Sequence, residues 1–180
     1  MNRVVIPAGT FERISAGDEE AFEELYRITY RPLFAFLLSM TGNYEDASDL
    51  LQETYIRIHS VSHKYEDRGS PMAWIMKISR NLFLMKKRSD KRNAAEDAVE
   101  IREDDLSLDC ISDAENRILI EELFTAISEE DRNIVIMHSV MGFRFREIAA
   151  ETGMPLGTVI TRHRRALKKL EKKADLKWRD

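Results

Sequence analysis

Cysteine, proline and glycine are scarce in this chain of 180 residues, which contains one, four and seven of them. The single cysteine, Cys110, has no partner for a disulfide bond within the chain, as is typical of proteins in a reducing compartment. With so few turn-forming residues, β-sandwiches and barrels, which need many hairpins, are disfavoured. No run of about 18 apolar residues is present, and residues 1–10 lack the pattern of a signal peptide. We therefore expect a cytoplasmic protein without membrane insertion.

The net charge of −4 conceals an uneven distribution along the chain. Residues 1–92 carry a net charge of +1 and residues 116–180 carry +3, whereas residues 93–115 carry nine acidic residues and one basic residue. This middle block has no aromatic residue and no sustained hydrophobic period, which is typical of a flexible linker. The pattern predicts two small domains joined by a flexible acidic linker.

The apolar residues on both sides of the linker recur at helical spacing, and no strand-like alternation stands out. We therefore predict an all-α fold with domains at residues 14–92 and 114–175 and a linker at residues 93–113. Asp18 and Ser128 are the predicted caps of two helices. Pro32 is predicted to begin a separate apolar helix, and residues 114–127 are predicted to form the first helix after the linker.

Residues 145–173 have the pattern of a helix-turn-helix, with two helices joined by a turn that contains Gly153. In this arrangement the second helix enters the major groove of DNA and presents side chains to the bases. Ile160 and Leu167 are predicted to point back into the core, and Met85 of the first domain is also predicted to face inward. The outer face of the second helix is predicted to consist of Thr158, Thr161, Arg162, Arg165 and Lys169.

Positive charge is concentrated in two segments, one in each domain. Residues 77–92 and residues 154–173 each contain seven basic residues and one acidic residue. Two basic segments in an acidic protein indicate two contacts with a polyanion such as DNA.

Three segments, in their order and spacing, resemble the extracytoplasmic-function (ECF) sigma factors of bacterial RNA polymerase. Residues 46–57, Asp-Ala-Ser-Asp-Leu-Leu-Gln-Glu-Thr-Tyr-Ile-Arg, resemble the helix that binds core polymerase. Residues 74–82, Trp-Ile-Met-Lys-Ile-Ser-Arg-Asn-Leu, resemble the helix that engages the −10 promoter element. Residues 155–167 resemble the recognition helix for the −35 element.

The resemblance implies roles for particular residues. An acidic, amide-bearing stripe would dock on the β′ clamp helices of core polymerase, and the matching residues are Asp46, Asp49, Leu50, Gln52 and Glu53. Contacts with −10 DNA are implied for Lys64, Trp74, Lys77, Arg80, Asn81, Lys86, Lys87 and Arg88. The predicted outer face of the helix-turn-helix would read −35 DNA, and the polymerase β flap and an anti-sigma factor are further implied partners.

Two other classes of function fit the sequence less well than a sigma factor does. A conventional two-domain repressor or activator would place a ligand pocket or receiver domain before the helix-turn-helix, and the first domain shows no such pattern. An enzyme would need Asp46, Asp49 and Glu53 as metal ligands, but no histidine stands at metal-ligand spacing near them. We expect no catalytic residue, no metal and no cofactor.

Overall fold

The computed structural model describes residues 4–67, 70–93 and 122–177 of the chain. The predicted acidic linker and most of the helix predicted for residues 114–127 lie outside these ranges. The described residues form helices and no strands, which confirms the all-α prediction. The helices are α1 (Thr10–Ser15), α2 (Glu19–Thr41), α3 (Tyr44–Val61), α4 (Pro71–Asn93), α5 (Glu129–Ser139), α6 (Phe145–Thr152) and α7 (Leu156–Lys177), with a 3₁₀ turn at Ser62–Lys64.

Side-chain caps begin the helices where the sequence predicts them. The Asp18 carboxylate accepts a hydrogen bond of 3.0 Å from the backbone N–H of Ala21 at the start of α2. This bond and the neighbouring Arg13 hold the pKa of Asp18 below its usual value. Ser128 caps α5 by accepting from the N–H of Asp131, so both predicted caps are confirmed.

Helix α2 corrects the prediction for Pro32, which does not begin a new helix but lies within one continuous helix of 23 residues. Proline lacks the N–H that would bond to the preceding turn, and this normally weakens or kinks a helix. Here the residues on both sides of Pro32 are buried against neighbouring helices, among them Thr29, Leu33 and Leu37, each 0% exposed. The apolar burial of both halves outweighs the lost hydrogen bond.

The N-terminal module, residues 4–67 and 70–93, packs α1, α3 and α4 around α2. A buried polar pair links α2 to α3, because the Thr29 hydroxyl donates to the carbonyl of Leu25 and lies 2.8 Å from the Tyr55 hydroxyl. Burial raises the pKa of Tyr55 far above its usual value. The Tyr55 hydroxyl therefore stays protonated and donates to Thr29.

The C-terminal module, residues 122–177, contains the predicted helix-turn-helix in α6 and α7. Gly153 closes α6 with a φ of 70°, a conformation that side chains other than glycine rarely adopt. The rings of His138, Phe145 and His163 meet at centroid distances of 4.0–5.1 Å and join α5, α6 and α7. Val159 and Ala166 of α7 are fully buried beside this cluster.

Three apolar side chains that were predicted to face inward are exposed instead. Ile160 and Leu167 of α7 are 43% and 42% exposed, and Met85 of α4 is 63% exposed. In α7 the buried positions are Val159, His163 and Ala166. This set follows spacings of four and three residues and leaves Ile160 and Leu167 on the flanks of the helix.

The two modules pack directly against each other through α2 and α5. Asn133 of α5 brings its side-chain amide oxygen to 2.6 Å from the buried hydroxyl of Ser39 in α2. The N-terminal segment adds a second link, because the N–H of Val4 donates to the carbonyl of Met141 at 3.4 Å. Residues of both modules therefore belong to one continuous apolar core.

Replacing Thr29 with valine tests the buried polar pair. The substitution removes the acceptor of the Tyr55 hydroxyl, so we expect the free energy of unfolding to fall by about 1–3 kcal/mol. Tyr55→Phe in the same chain removes the unpaired hydroxyl. The double variant should therefore lose less stability than the sum of the single variants, as measured by urea unfolding. Additive losses would contradict the pairing.

His163 gives stability a defined pH dependence. Burial, with a smaller contribution from His138, lowers the pKa of the His163 imidazole below its usual value. The unfolded chain therefore binds more protons than the folded chain below about pH 6.5, and stability should fall as the pH is lowered through that range. Phenylalanine keeps the ring contacts, so urea unfolding of His163→Phe should depend less on pH. The control, His63→Gln at an exposed position, should behave like the parent chain.

Candidate nucleic-acid and protein interfaces

Three of the acidic residues implied in polymerase binding lie on the surface of α3. Glu53 is exposed, and the Asp49 side chain is 67% exposed. Lys86 of α4 reaches across to this stripe, with its Nζ atom 2.8 Å from Asp46 and 3.6 Å from Asp49. Burial by itself would lower the pKa of the Lys86 ammonium, but the hydrogen bond to Asp46 and the charges of both aspartates raise it.

The remaining two residues of the predicted stripe differ in their surroundings. Leu50 is 0% exposed and packs in the core, so it does not lie on the exposed stripe where the prediction placed it. It shares the helix face of Ala47 and Leu51, which are also buried. Gln52 is half-buried beside an apolar groove of about 390 Å³. The other residues that line this groove are Phe22, Tyr26, Leu51, Tyr55, Ile56 and His59.

A cavity of about 410 Å³ opens where the loop before α4 meets the start of that helix, and we call it the Trp74 pocket. Three residues implied in −10 binding, Lys64, Trp74 and Lys77, line it. Tyr65 and Trp74 give it an aromatic wall, and the buried Phe11 ring packs against both, 4.8 Å from Trp74 and 4.3 Å from Tyr65. The other lining residues are Tyr65, Glu66, Ser70, Ala73 and Glu151. An aromatic wall with two lysines in the lining fits a nucleobase attached to a phosphate backbone.

The other residues implied in −10 binding continue along α4. Arg80, Asn81 and Arg88 have exposed side chains. Lys87 lies 3.7 Å from Glu129 of the C-terminal module. Lys86 forms an ion pair with Asp46 in the acidic stripe of α3. A residue predicted to contact DNA is therefore bound to a residue predicted to contact polymerase.

The structure divides the predicted outer face of α7 in two. Four of its residues are exposed, namely Thr158, Thr161, Arg165 and Lys169. Arg162 instead turns toward the start of α5, where it lies 2.6 Å from Asp131, forms an ion pair with Glu130 and bonds to Ser128. These hydrogen bonds, that of Asp131 foremost, raise the pKa of the Arg162 guanidinium. Its placement on the outer face is therefore wrong.

Sequence reasoning missed Glu151, which lines the Trp74 pocket, and Phe11, whose ring packs against Trp74. Phe11 and Ile14 stand three residues apart on α1 and are both buried, a spacing that signals an apolar helix face. Glu151 has no comparable signal, because α6 belongs to the other module and only the packing of the two modules brings it to the pocket.

A metal centre or a membrane-spanning helix would indicate a different class of function. No three His, Cys, Asp or Glu side chains among the described residues are placed to hold a metal ion. None of the helices in those parts of the chain is long and apolar enough to cross a membrane.

Two family models match the chain, and they match the two modules. Residues 25–93 match Sigma-70 region 2, and residues 117–170 match Sigma-70, region 4. These regions are the two modules of a promoter-recognition subunit of bacterial RNA polymerase, and together they extend over most of the chain. The chain belongs to the Sigma-70 factors, and the curated relatives SigX and SigE are both ECF members of that group.

Curated relatives align along most of the chain. The ECF RNA polymerase sigma factor SigX of Bacillus subtilis is 26% identical over 168 residues, covering 88% of this chain and 86% of SigX. SigE of Mycolicibacterium smegmatis is 30% identical over 172 residues, covering 91% of this chain and 66% of SigE. The sigma-E factor of Escherichia coli K12 is 28% identical over 174 residues, covering 90% of this chain and 91% of that factor.

Solved structures share the fold. The sigma factor RpoE in complex with the anti-sigma factor NepR from Bartonella quintana aligns with a TM-score of 0.64 and 23% identity, covering 85% of this chain and 96% of RpoE. CnrH in complex with the cytosolic domain of CnrY aligns with a TM-score of 0.60 and 20% identity, covering 93% of this chain and 96% of CnrH.

Arg162 and Arg165 should respond differently to replacement by alanine. Arg162→Ala leaves Glu130 and Asp131 unpaired, so we expect the free energy of unfolding to fall by about 1 kcal/mol. Arg165→Ala should leave stability within about 0.5 kcal/mol of the parent and weaken binding to a promoter duplex about tenfold. Urea unfolding and fluorescence anisotropy measure the two effects. If Arg162→Ala kept full stability and Arg165→Ala kept full affinity, the division of the α7 face would be wrong.

Proposed function

We propose that this chain binds core RNA polymerase through the acidic stripe of α3 and directs initiation at promoters read by its two modules. The observation that carries the proposal is the pair of sigma modules in their normal order, with Asp49 and Glu53 of α3 and Arg165 and Lys169 of α7 exposed. Asp49 and Glu53 present carboxylates to a basic partner, and the β′ clamp helices are the partner that the family implies. The C-terminal module would also contact the β flap.

Promoter recognition divides between the modules. The exposed Thr158, Thr161, Arg165 and Lys169 of α7 are suited to base edges and phosphates in the major groove of −35 DNA. The Trp74 pocket is suited to an unstacked base of the −10 element, and Arg80 and Arg88 extend the cationic track along α4. We assign these roles to residues 14–92 and 114–175, joined by the acidic linker.

The assignment as a sigma factor also bears on how the chain is regulated and where in the cell it acts. The two solved relatives are bound to NepR and to the cytosolic domain of CnrY, and NepR is an anti-sigma factor. We propose that an anti-sigma factor also holds this chain inactive. Because core polymerase works in the bacterial cytoplasm, we place the chain there, where it acts as a transcription regulator and not as an enzyme.

Reconstituted transcription tests the proposed function. The purified chain, bacterial core polymerase and pooled genomic promoter fragments are mixed, and the 5′ ends of the transcripts are mapped. We expect new start sites that share upstream −35 and −10 sequences and that depend on the chain. Absence of binding to core polymerase would overturn the assignment of α3, whereas binding without initiation at any fragment would overturn the assignment of the DNA-binding faces.

Replacing the exposed acids of α3 tests the polymerase contact. Asp49→Ala combined with Glu53→Ala removes two carboxylates from the proposed interface, so we expect affinity for core polymerase to fall about tenfold, or about 1.4 kcal/mol. The matched control, Glu20→Ala combined with Glu23→Ala, removes two exposed acids from α2 and should bind normally. Surface plasmon resonance measures both affinities, and equal losses in the two variants would mean that only net charge matters.

A further inference from the structure

Helix α4 has one face in the core of the N-terminal module and the opposite face in solvent. Ile75 and Ser79 lie on the inner face and are 0% exposed. Lys86 follows on the same face of the helix and reaches α3, where it pairs with Asp46. The outer face carries the other residues of α4 that the resemblance implies in −10 binding, apart from the half-buried Trp74.

Two apolar side chains interrupt this polar outer face. Leu84 is 39% exposed and Met85 is 63% exposed, and we call the two the Leu84 patch. Single exposed leucines are common on protein surfaces, so exposure alone indicates nothing. The neighbours of Leu84 are informative, because residues three and four positions away in an α-helix adjoin on its surface. These neighbours are all exposed and all implied in −10 binding, namely Arg80, Asn81, Lys87 and Arg88.

Promoter DNA is the partner that these surroundings fit. The centre of a contact between proteins is depleted of charged residues, whereas cations adjoin Leu84 on both sides along the helix. Cations are suited to the phosphates of a bound strand. The Leu84 patch also continues the proposed −10 surface, because Lys77 of the Trp74 pocket stands two helical turns before Leu84 on the same face. This separation is about 10 Å along the helix axis, or about three nucleotides of one strand, so one strand can contact both sites.

We propose that the Leu84 patch reads the C5-methyl group of a thymine in the −10 element and so helps to set promoter specificity. The inference rests on the proposed role of α4 and the Trp74 pocket in −10 binding. Thymine alone among the four DNA bases carries a methyl group, and apolar side chains recognise it by direct contact. Arg80 and Arg88 hold the phosphates on the two sides of Leu84, so the base edge and not the backbone meets the apolar side chain.

Replacement of thymine by deoxyuridine tests the proposal, because deoxyuridine lacks only the methyl group. The −10 element mapped by transcription with the parent chain is synthesised in a labelled promoter fragment, and each of its thymines is replaced singly. Affinity is measured for the complex of the parent chain with core polymerase. We expect one replacement, or two adjacent ones, to weaken binding about fourfold, the size of the effect of one buried methyl group.

Leu84→Ala combined with Met85→Ala removes the proposed reader and keeps good helix-forming residues in α4. With this variant the sensitive thymine and its deoxyuridine replacement should bind within about twofold of each other, and affinity for core polymerase should equal that of the parent. The matched control, Val5→Ala combined with Val140→Ala, truncates two apolar side chains outside α4 that are 70% and 39% exposed. It should discriminate between the two bases as the parent does. Circular dichroism checks that both variants keep the helical content of the parent chain.

Three results would overturn the reading of thymine by the Leu84 patch. The parent complex could be insensitive to every replacement, so that no methyl group is read. The Leu84/Met85 variant could keep the full discrimination, so that another residue reads the methyl group. The same variant could lose affinity for core polymerase, so that polymerase and not DNA covers the patch. Failure of the proposed function is distinguishable from all three, because it appears as the absence of mapped start sites in transcription with the parent chain.

Discussion

The burial of the second half of α2 on all sides is the constraint on which the rest of the structure depends. From Leu33 to Met40 almost every side chain is apolar, and seven of the eight are at most 4% exposed. A helix with apolar residues around its whole circumference needs cover from every direction. Helix α3 supplies the cover on one side and α5 on another, so the N-terminal module reaches full burial only with the C-terminal module in place. The direct packing of the two modules follows from this need to cover α2.

Local signals in the sequence were sufficient for the helices and their caps. Asp18, Ser128 and Gly153 act within a few residues of their own position, and the structure confirms the role of each. Pro32 was misjudged because its local effect is opposed by burial, which depends on residues far along the chain. The packing of Val4 and the other residues before α2 was not anticipated for the same reason.

For the candidate site, sequence reasoning identified residue types better than the directions of side chains. Asp49, Glu53 and Arg165 are exposed as expected, because a polar helix face needs no partner to stay in solvent. Leu50 was placed on the surface although it stands in the apolar period of α3, and its neighbours Ala47 and Leu51 already indicated burial. The error at Arg162 has another cause. Its partner Asp131 is 31 residues away in the sequence, and helical spacing carries no information about such a pair.

Two independent constraints act on Gly42, one from its own backbone and one from the other module. Its φ of 69° ends α2 in the left-handed region, where any side chain is strained. A Cβ atom there would also lie 3.1 Å from a guanidinium nitrogen of Arg132, which belongs to the other module. A related chain with a larger residue at this position would have to reshape the α2–α3 turn and displace Arg132 at once. Sequence variation at this single glycine therefore bears first on the turn that ends α2 and, through Arg132, on the contact between the two modules.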